Sequence, residues 1–309
     1  MRMLGIALLP LIACLPTFAY TDSPRVVTDI APVHSLVAQI MDGVGEPELL
    51  LPATASPHDY AMRPSDARRL QNADVVFWVG DALTPWLRDT LETLAADAVQ
   101  VSLLDAEGTL KLDFREGAVF GETPDDQDHA SGEHDDQSNS GTDPHAWLDP
   151  FNAKIWLAVI ASELSRLDPE NAATFQNNLV QAQGRVDKLL ERIADDMQAI
   201  AQVRFVVLHD GFRYFEDRFG VRALGAIAQS DAAAPSATRV RDIRRAIDAE
   251  GVSCLFTEAQ LQSPLLDAIA IETQVKVLTL DPLGILLAPG KDLYFQKLEN
   301  IAKAFSECR

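Results

Sequence analysis

The stretch Asp168-Pro169-Glu170-Asn171-Ala172-Ala173-Thr174-Phe175 opens the longest periodic pattern in this 309-residue chain. Aspartate before proline, with glutamate following, is a helix start: the aspartate caps, and proline's missing N–H costs nothing in the first turn. From there Phe175, Leu179, Ala182, Val186, Leu189, Ile193, Met197 and Ile200 recur at steps of three or four, one apolar stripe along a helix. The pattern predicts a helix over 169–201, roughly 50 Å long at 1.5 Å per residue. Such a helix suits the arm of a bundle or a spine between two lobes, and its flanks decide between them.

On both flanks short apolar runs alternate with helical stretches. Before the spine, 25–30, 47–51, 75–79 and 99–103 read as buried strands, with helices over 33–41, 64–72 and 84–96. After it, 204–208, 221–227, 252–257 and 275–280 read as strands, with helices over 239–249, 264–273 and 293–306. Strands separated by helices of this length form parallel sheets covered on both faces. The expected fold is therefore α/β: two β/α lobes, each with a roughly four-stranded parallel sheet, joined by one long rigid helix. The divisions are a signal over 1–19, a first lobe over 20–150, helices over 151–202 and a second lobe over 203–309.

Composition narrows the function. There are 46 acidic and 26 basic residues, a net charge of −20 and a pI near 4.6. That field repels phosphate backbones and anionic membrane surfaces and attracts cations. No nucleic acid partner is expected. Residues 4–18 are apolar behind Arg2, and Thr17-Phe18-Ala19 has the small residues of a cleavage site, so the chain reads as exported. An alternative is lipid attachment at Cys14, in the lipobox-like Leu11-Ile12-Ala13-Cys14. In an oxidising compartment Cys254 and Cys308 read as a disulfide that pins the last helix, the alternative being a buried thiol and a frayed end. Chain-entropy arithmetic gives that bond on the order of 4 kcal/mol.

Residues 121–142 hold nine Asp, Glu and His side chains and no lysine or arginine. They read as a mobile acidic loop, in which His129 and His134 offer a weak cation site. Directly after it comes Asp143-Pro144-His145-Ala146-Trp147-Leu148-Asp149-Pro150, a histidine held in stiff chain by two prolines. In open α/β sheets ligands bind beyond the carboxyl ends of strands. His58, in the loop after the second strand, His209, ending the fifth, and Asp281, ending the eighth, all fall there. His145 enters at the head of the spine segment.

Four stretches carry a family resemblance: Ser56-Pro57-His58-Asp59-Tyr60-Ala61-Met62-Arg63-Pro64, Asp143 to Pro150, Leu208-His209-Asp210-Gly211-Phe212, and Thr279-Leu280-Asp281-Pro282-Leu283-Gly284. In their order and spacing they resemble the zinc-binding solute receptors of bacterial ABC importers, the ZnuA-like members of a family that also contains manganese receptors. The resemblance covers essentially the whole mature chain. It implies a monomeric periplasmic receptor with one Zn²⁺ site between two lobes, delivering zinc to a membrane permease, and no catalysis. It carries the metal ligands onto His58, His145 and His209, with Asp281 in fourth place and Asp231 as a substitute. Where some relatives have a glutamate before the first histidine, this chain has Pro57.

Three imidazoles suit tetrahedral Zn²⁺, whereas manganese prefers more numerous oxygen donors. A manganese or iron receptor on the same fold and a zinc hydrolase remain rival readings. Against the hydrolase, no His-Glu-x-x-His pattern and no obvious general base are present. Asp59, Asp149 and Asp210 are candidates to orient the histidine rings. Trp147 is a candidate wall over the site, and His34 a capping or packing residue.

Overall fold

The structure, a computed structural model, describes residues 23–52, 54–121, 141–230, 234–261 and 263–309. Two four-stranded parallel sheets organise it. In the first, β1 (Val26–Thr28), β2 (Glu48–Leu49), β3 (Val75–Trp78) and β4 (Val99–Ser102) lie in the order β2-β1-β3-β4. In the second, β5 (Phe205–His209), β6 (Gly225–Ala228), β7 (Cys254–Glu258) and β8 (Lys276–Leu280) lie in the order β6-β5-β7-β8. The two orders are the same pattern written twice. The inner strands β1, β3 and β5 are buried along their whole length, as parallel strands covered on both faces must be.

The helices are α1 (Ala31–Ile40), α2 (Pro64–Asn72), α3 (Leu87–Leu94), α4 (Pro150–Leu167), α5 (Ala172–Gln198), α6 (Arg213–Phe219), α7 (Ala237–Glu250), α8 (Pro264–Thr273) and α9 (Leu293–Ser306). Three of them differ from expectation in instructive ways. The spine α5 begins at Ala172, because Asp168 ends α4 as its C-cap and its carboxylate accepts from the backbone N–H and side-chain amide of Asn171. Its 27 residues span about 40 Å. Helix α4 begins at Pro150, one residue before the expected helical segment 151–202, because Asp149 and Pro150 are its true start: the Asp149 carboxylate accepts the Phe151 N–H at 2.8 Å. Helix α3 starts at Leu87, after an irregular turn held by Leu83 and Thr84 N–H bonds to the Gly80 carbonyl.

The spine does not run alone. Near its start Asn178 donates to the carbonyls of Ile40 and Asp42 beside α1. Further along, Arg185 and Arg192 pair with Asp292 and Glu299 beside and on α9. Helix α9 bonds α1 through Tyr294 N–H to Ser35 Oγ, and at its far end Cys308 is bonded to Cys254 at the start of β7. Two helices side by side thus connect the lobes, and one continuous apolar core runs through both, from Val26 to Phe305. A second cluster, around Leu208, Ile243, Leu255 and Ile269, fills the outer face of the β5–β8 sheet.

After β4 the chain crosses to the second sheet. Val119 bridges Gly225 in antiparallel fashion, Phe120 N–H bonds the Leu224 carbonyl, and Ala226 N–H bonds the Ala118 carbonyl. Gly225 permits this approach, since a Cβ there would lie 2.2 Å from the Ala118 carbonyl oxygen.

Candidate metal centre

His209 is the last residue of β5, and its ring lies over the turn that follows. A Cβ on Gly211 would fall 2.3 Å from His209 Nε2, so this position must be glycine for the ring to take its place. In the β5–β7 register Val207 stands opposite Phe256, which puts His209 opposite Glu258 two residues on. The Glu258 carboxylate and His209 Nδ1 are hydrogen-bonded, both side chains buried.

His145 stands before a 3₁₀ turn, Ala146–Leu148. Its Nδ1 lies 2.7 Å from Asp143 Oδ1, which also accepts the His145 backbone N–H at 2.9 Å. An ionised carboxylate can only accept, so Nδ1 of each ring carries a proton toward it, and in the neutral imidazole this leaves the lone pair on Nε2. These two Nε2 atoms lie 3.3 Å apart. Two lone pairs at that distance repel one another, and a cation between them relieves the repulsion. Two nitrogens at ~2.0–2.1 Å from a tetrahedral zinc would lie about 3.3–3.4 Å apart. The pair is already spaced for one ion.

His58 lies near His145, ring centroids 6.1 Å apart. Its loop is held at several points. Trp86 Nε1 donates to the Pro57 carbonyl at 2.9 Å, and Tyr60 OH donates to Asp66, the buried carboxylate that also caps α2 through Arg63 N–H. Among the described residues no three His, Cys, Asp or Glu side chains are drawn close enough to hold an ion without movement.

Asp281 follows β8 and folds back on its own loop. Its oxygens accept the N–H groups of Gly284 at 2.7 Å, Ile285 at 2.9 Å and Leu286 at 3.0 Å. The carbonyl of the next residue, Pro282, accepts Trp147 Nε1 at 2.9 Å, and Tyr294 OH donates to the Trp147 carbonyl. Trp147 is buried, 5.2 Å from the His145 ring. It is therefore both a wall beside that ring and a link to the Asp281 loop. On α9, Lys297 is fully buried; burial pushes its ammonium group down to about 7, against the pull of Asp281.

The carboxylates nominated from sequence to orient the rings have other partners. Asp149 caps α4 and binds Arg218 through both oxygens at 2.7 Å. Asp210 binds Arg115, and Asp59 is exposed. Asp143 and Glu258 hold the rings instead. Glu258 carried a detectable signal, a strand-end acid beside a strand-end histidine, but pairing β5 with β7 in register is needed to see it. His34 accepts no such role: its Nε2 lies 3.0 Å from the Pro47 carbonyl, and burial lowers its pKa. His129, His134, Asp231 and Cys14 lie outside the described residues.

The family described as "Zinc-uptake complex component A periplasmic" matches residues 26–308. A high-affinity zinc uptake system protein ZnuA of Paracoccus denitrificans is 39% identical, the match covering 96% of this chain and 94% of the relative. The protein of the same name from Brucella abortus is 37% identical over 92% of this chain and 91% of its own length. Among solved structures, a crystal structure of ZnuA superposes with a TM-score of 0.76 at 21% identity, covering 93% of this chain and 99% of that one. A zinc-bound ZnuA lacking its residues 138–173 superposes at 0.77, with 21% identity and coverages of 93% and 98%. The chain belongs to the family of periplasmic zinc-uptake component A proteins.

Proposed function

We propose that this chain is a periplasmic zinc receptor that takes up one Zn²⁺ on His58, His145 and His209, with Asp281 as fourth ligand, and delivers it to the permease of an ABC importer. The observation that carries the reading is the facing pair of Nε2 atoms, 3.3 Å apart, each ring oriented by a carboxylate on Nδ1. Zinc would enter between them, and His58 would move inward to complete three nitrogen ligands. Asp281 already holds three backbone N–H groups, so it would offer its remaining lone pair from a fixed position. With four protein ligands no water is left to activate, and the site would bind rather than catalyse.

The relatives' names, high-affinity zinc uptake proteins, support zinc as the cargo and an importer as the partner. The negative field of the chain concentrates cations and supports neither nucleic acid nor anionic membrane as a partner. A monomer exported behind residues 1–19 completes the reading. Equilibrium dialysis with metal analysis tests it: one zinc per chain is expected, lost in His58→Ala, His145→Ala and His209→Ala. Undiminished binding in all three variants overturns the site, and displacement of zinc by manganese overturns the cargo.

A further inference from the structure

Helix α6 follows His209 by three residues, and it is bonded to both sides of the stretch that carries His145. Tyr214 OH donates to the Asp143 carbonyl at 2.9 Å and accepts the Leu112 N–H at 2.9 Å. Arg218 grips the Asp149 carboxylate through Nε and Nη2, both at 2.7 Å. Arg213 donates to the Asp113 carbonyl. Glu216 pairs with Arg115 at 2.7 Å, and Arg115 also binds Asp210, the residue after His209. Burial works against the Arg115 charge, but Glu216 and Asp210 outweigh it and its pKa is raised.

Within the second lobe Glu216 also accepts the Ala223 N–H and Arg213 pairs with Asp217. The hydrogen-bonded partners of the α6 side chains outside that lobe lie in two segments, 112–115 and 143–149. Both lie between the first sheet and the spine in the chain, whereas α6 belongs to the second sheet. The backbone of Asp143, held by Tyr214, belongs to the residue whose carboxylate holds the His145 ring.

We propose that α6 is a clasp that sets the separation of His145 from His209, with Tyr214 and Arg218 as its positioning residues. The clasp holds one metal-facing nitrogen of each lobe at the spacing of a single ion before any ion arrives. It thereby spares the binding step the cost of ordering the two rings. Neither Tyr214 nor Arg218 is a ligand. The spacing they control is the one on which the zinc-site reading rests.

The test uses the mature protein with its disulfide intact and the double variant Tyr214→Phe/Arg218→Met. Arg115 is left alone, because its removal would strand two buried carboxylates. Spin labels at Glu92→Cys and Asp248→Cys, exposed on α3 and α7, report the distance between the lobes in the metal-free state. Expected results are a broadened distance distribution, a zinc affinity weaker by roughly 10- to 100-fold at unchanged stoichiometry, and altered visible bands of bound Co²⁺. Arg218→Lys should recover part of each change. An unchanged distribution with unchanged affinity overturns the clasp. If the double variant does not fold, Tyr214→Phe alone, which removes one hydroxyl, is read by the same criteria. Should the ligand variants leave zinc binding intact, the site reading fails, while the label distances still decide the clasp.

Discussion

The two lobes share one strand order and differ at the carboxyl ends of their strands. In the first lobe β1 is followed directly by Asp29, whose oxygens accept the N–H groups of Ile30 and Val79, each at 2.7 Å. That carboxylate stitches β1 to the end of β3 and fills the crevice where strand order reverses. In the second lobe β5 ends at His209, and its neighbour β7 supplies Glu258 across the equivalent crevice. One switch point is satisfied by the chain's own backbone; the other presents a lone pair outward. The scaffold makes both crevices available, and side-chain chemistry decides which becomes a site.

The largest test concerns how the second lobe is held. Its strand β7 carries Glu258 at one end and a disulfide at the other, bridging 54 residues with Cα atoms 5.7 Å apart. Replacing Cys254 and Cys308 by serine should cost about 4 kcal/mol by loop entropy. Denaturant unfolding measures it, and a loss below ~1 kcal/mol would show that α9 is held by packing alone.

Next, the comparison predicts opposite outcomes at matched positions. His209→Ala removes one of the four proposed ligands, about a quarter of the ~10–16 kcal/mol typical of protein zinc sites, so affinity should fall by roughly 70- to 800-fold. Asp29→Asn should leave affinity near that of the parent. Chelator competition reads both, and equal losses would erase the distinction between the crevices.

Glu258→Ala leaves all the proposed ligands in place but frees the His209 ring. A drop of about 10- to 100-fold in zinc affinity is expected, and an unchanged value would mean that Gly211 and packing alone orient the ring.

Asp29 gives the first lobe its own signature. Burial pushes its carboxyl up to about 7 against the pull of its backbone hydrogen bonds, whereas an unfolded aspartate titrates near 3.9. Between about pH 4 and 7 the folded chain therefore holds a proton that the unfolded chain has lost. Stability should fall as pH rises through that window, by up to about 1.4 kcal/mol per pH unit. The difference between parent and Asp29→Asn isolates it, since the lowered carboxyls of Asp66, Asp74 and Asp105 act in the opposite sense at lower pH. A flat difference would mean that Asp29 is ionised throughout.

The smallest effect is expected from deleting residues 122–140. The ligands proposed for the main site all lie outside that segment, so zinc affinity should stay within about twofold, the scatter of such measurements. A lost site would make His129 or His134 a ligand.

What the sequence by itself determined is what local chemistry can write. Apolar runs between helices specify parallel strands, the stripe from Phe175 to Ile200 specifies the spine, and Pro64 and Pro264 open the helices expected over 64–72 and 264–273. The candidate histidines are picked out in the sequence by the rule that such folds bind ligands beyond strand ends. Other features were not legible, for a common reason. The acids beside the histidines in sequence turn away to Arg115 and Arg218, because neighbouring residues in extended or turning chain point in different directions. Glu258 reaches His209 only through the register of two strands 49 residues apart, and α6 becomes a clasp only when segments about 65 to 105 residues away in sequence fold against it. Sequence names the candidate groups; the spacing of those groups is a property of packing between distant segments, and tertiary structure alone decides it.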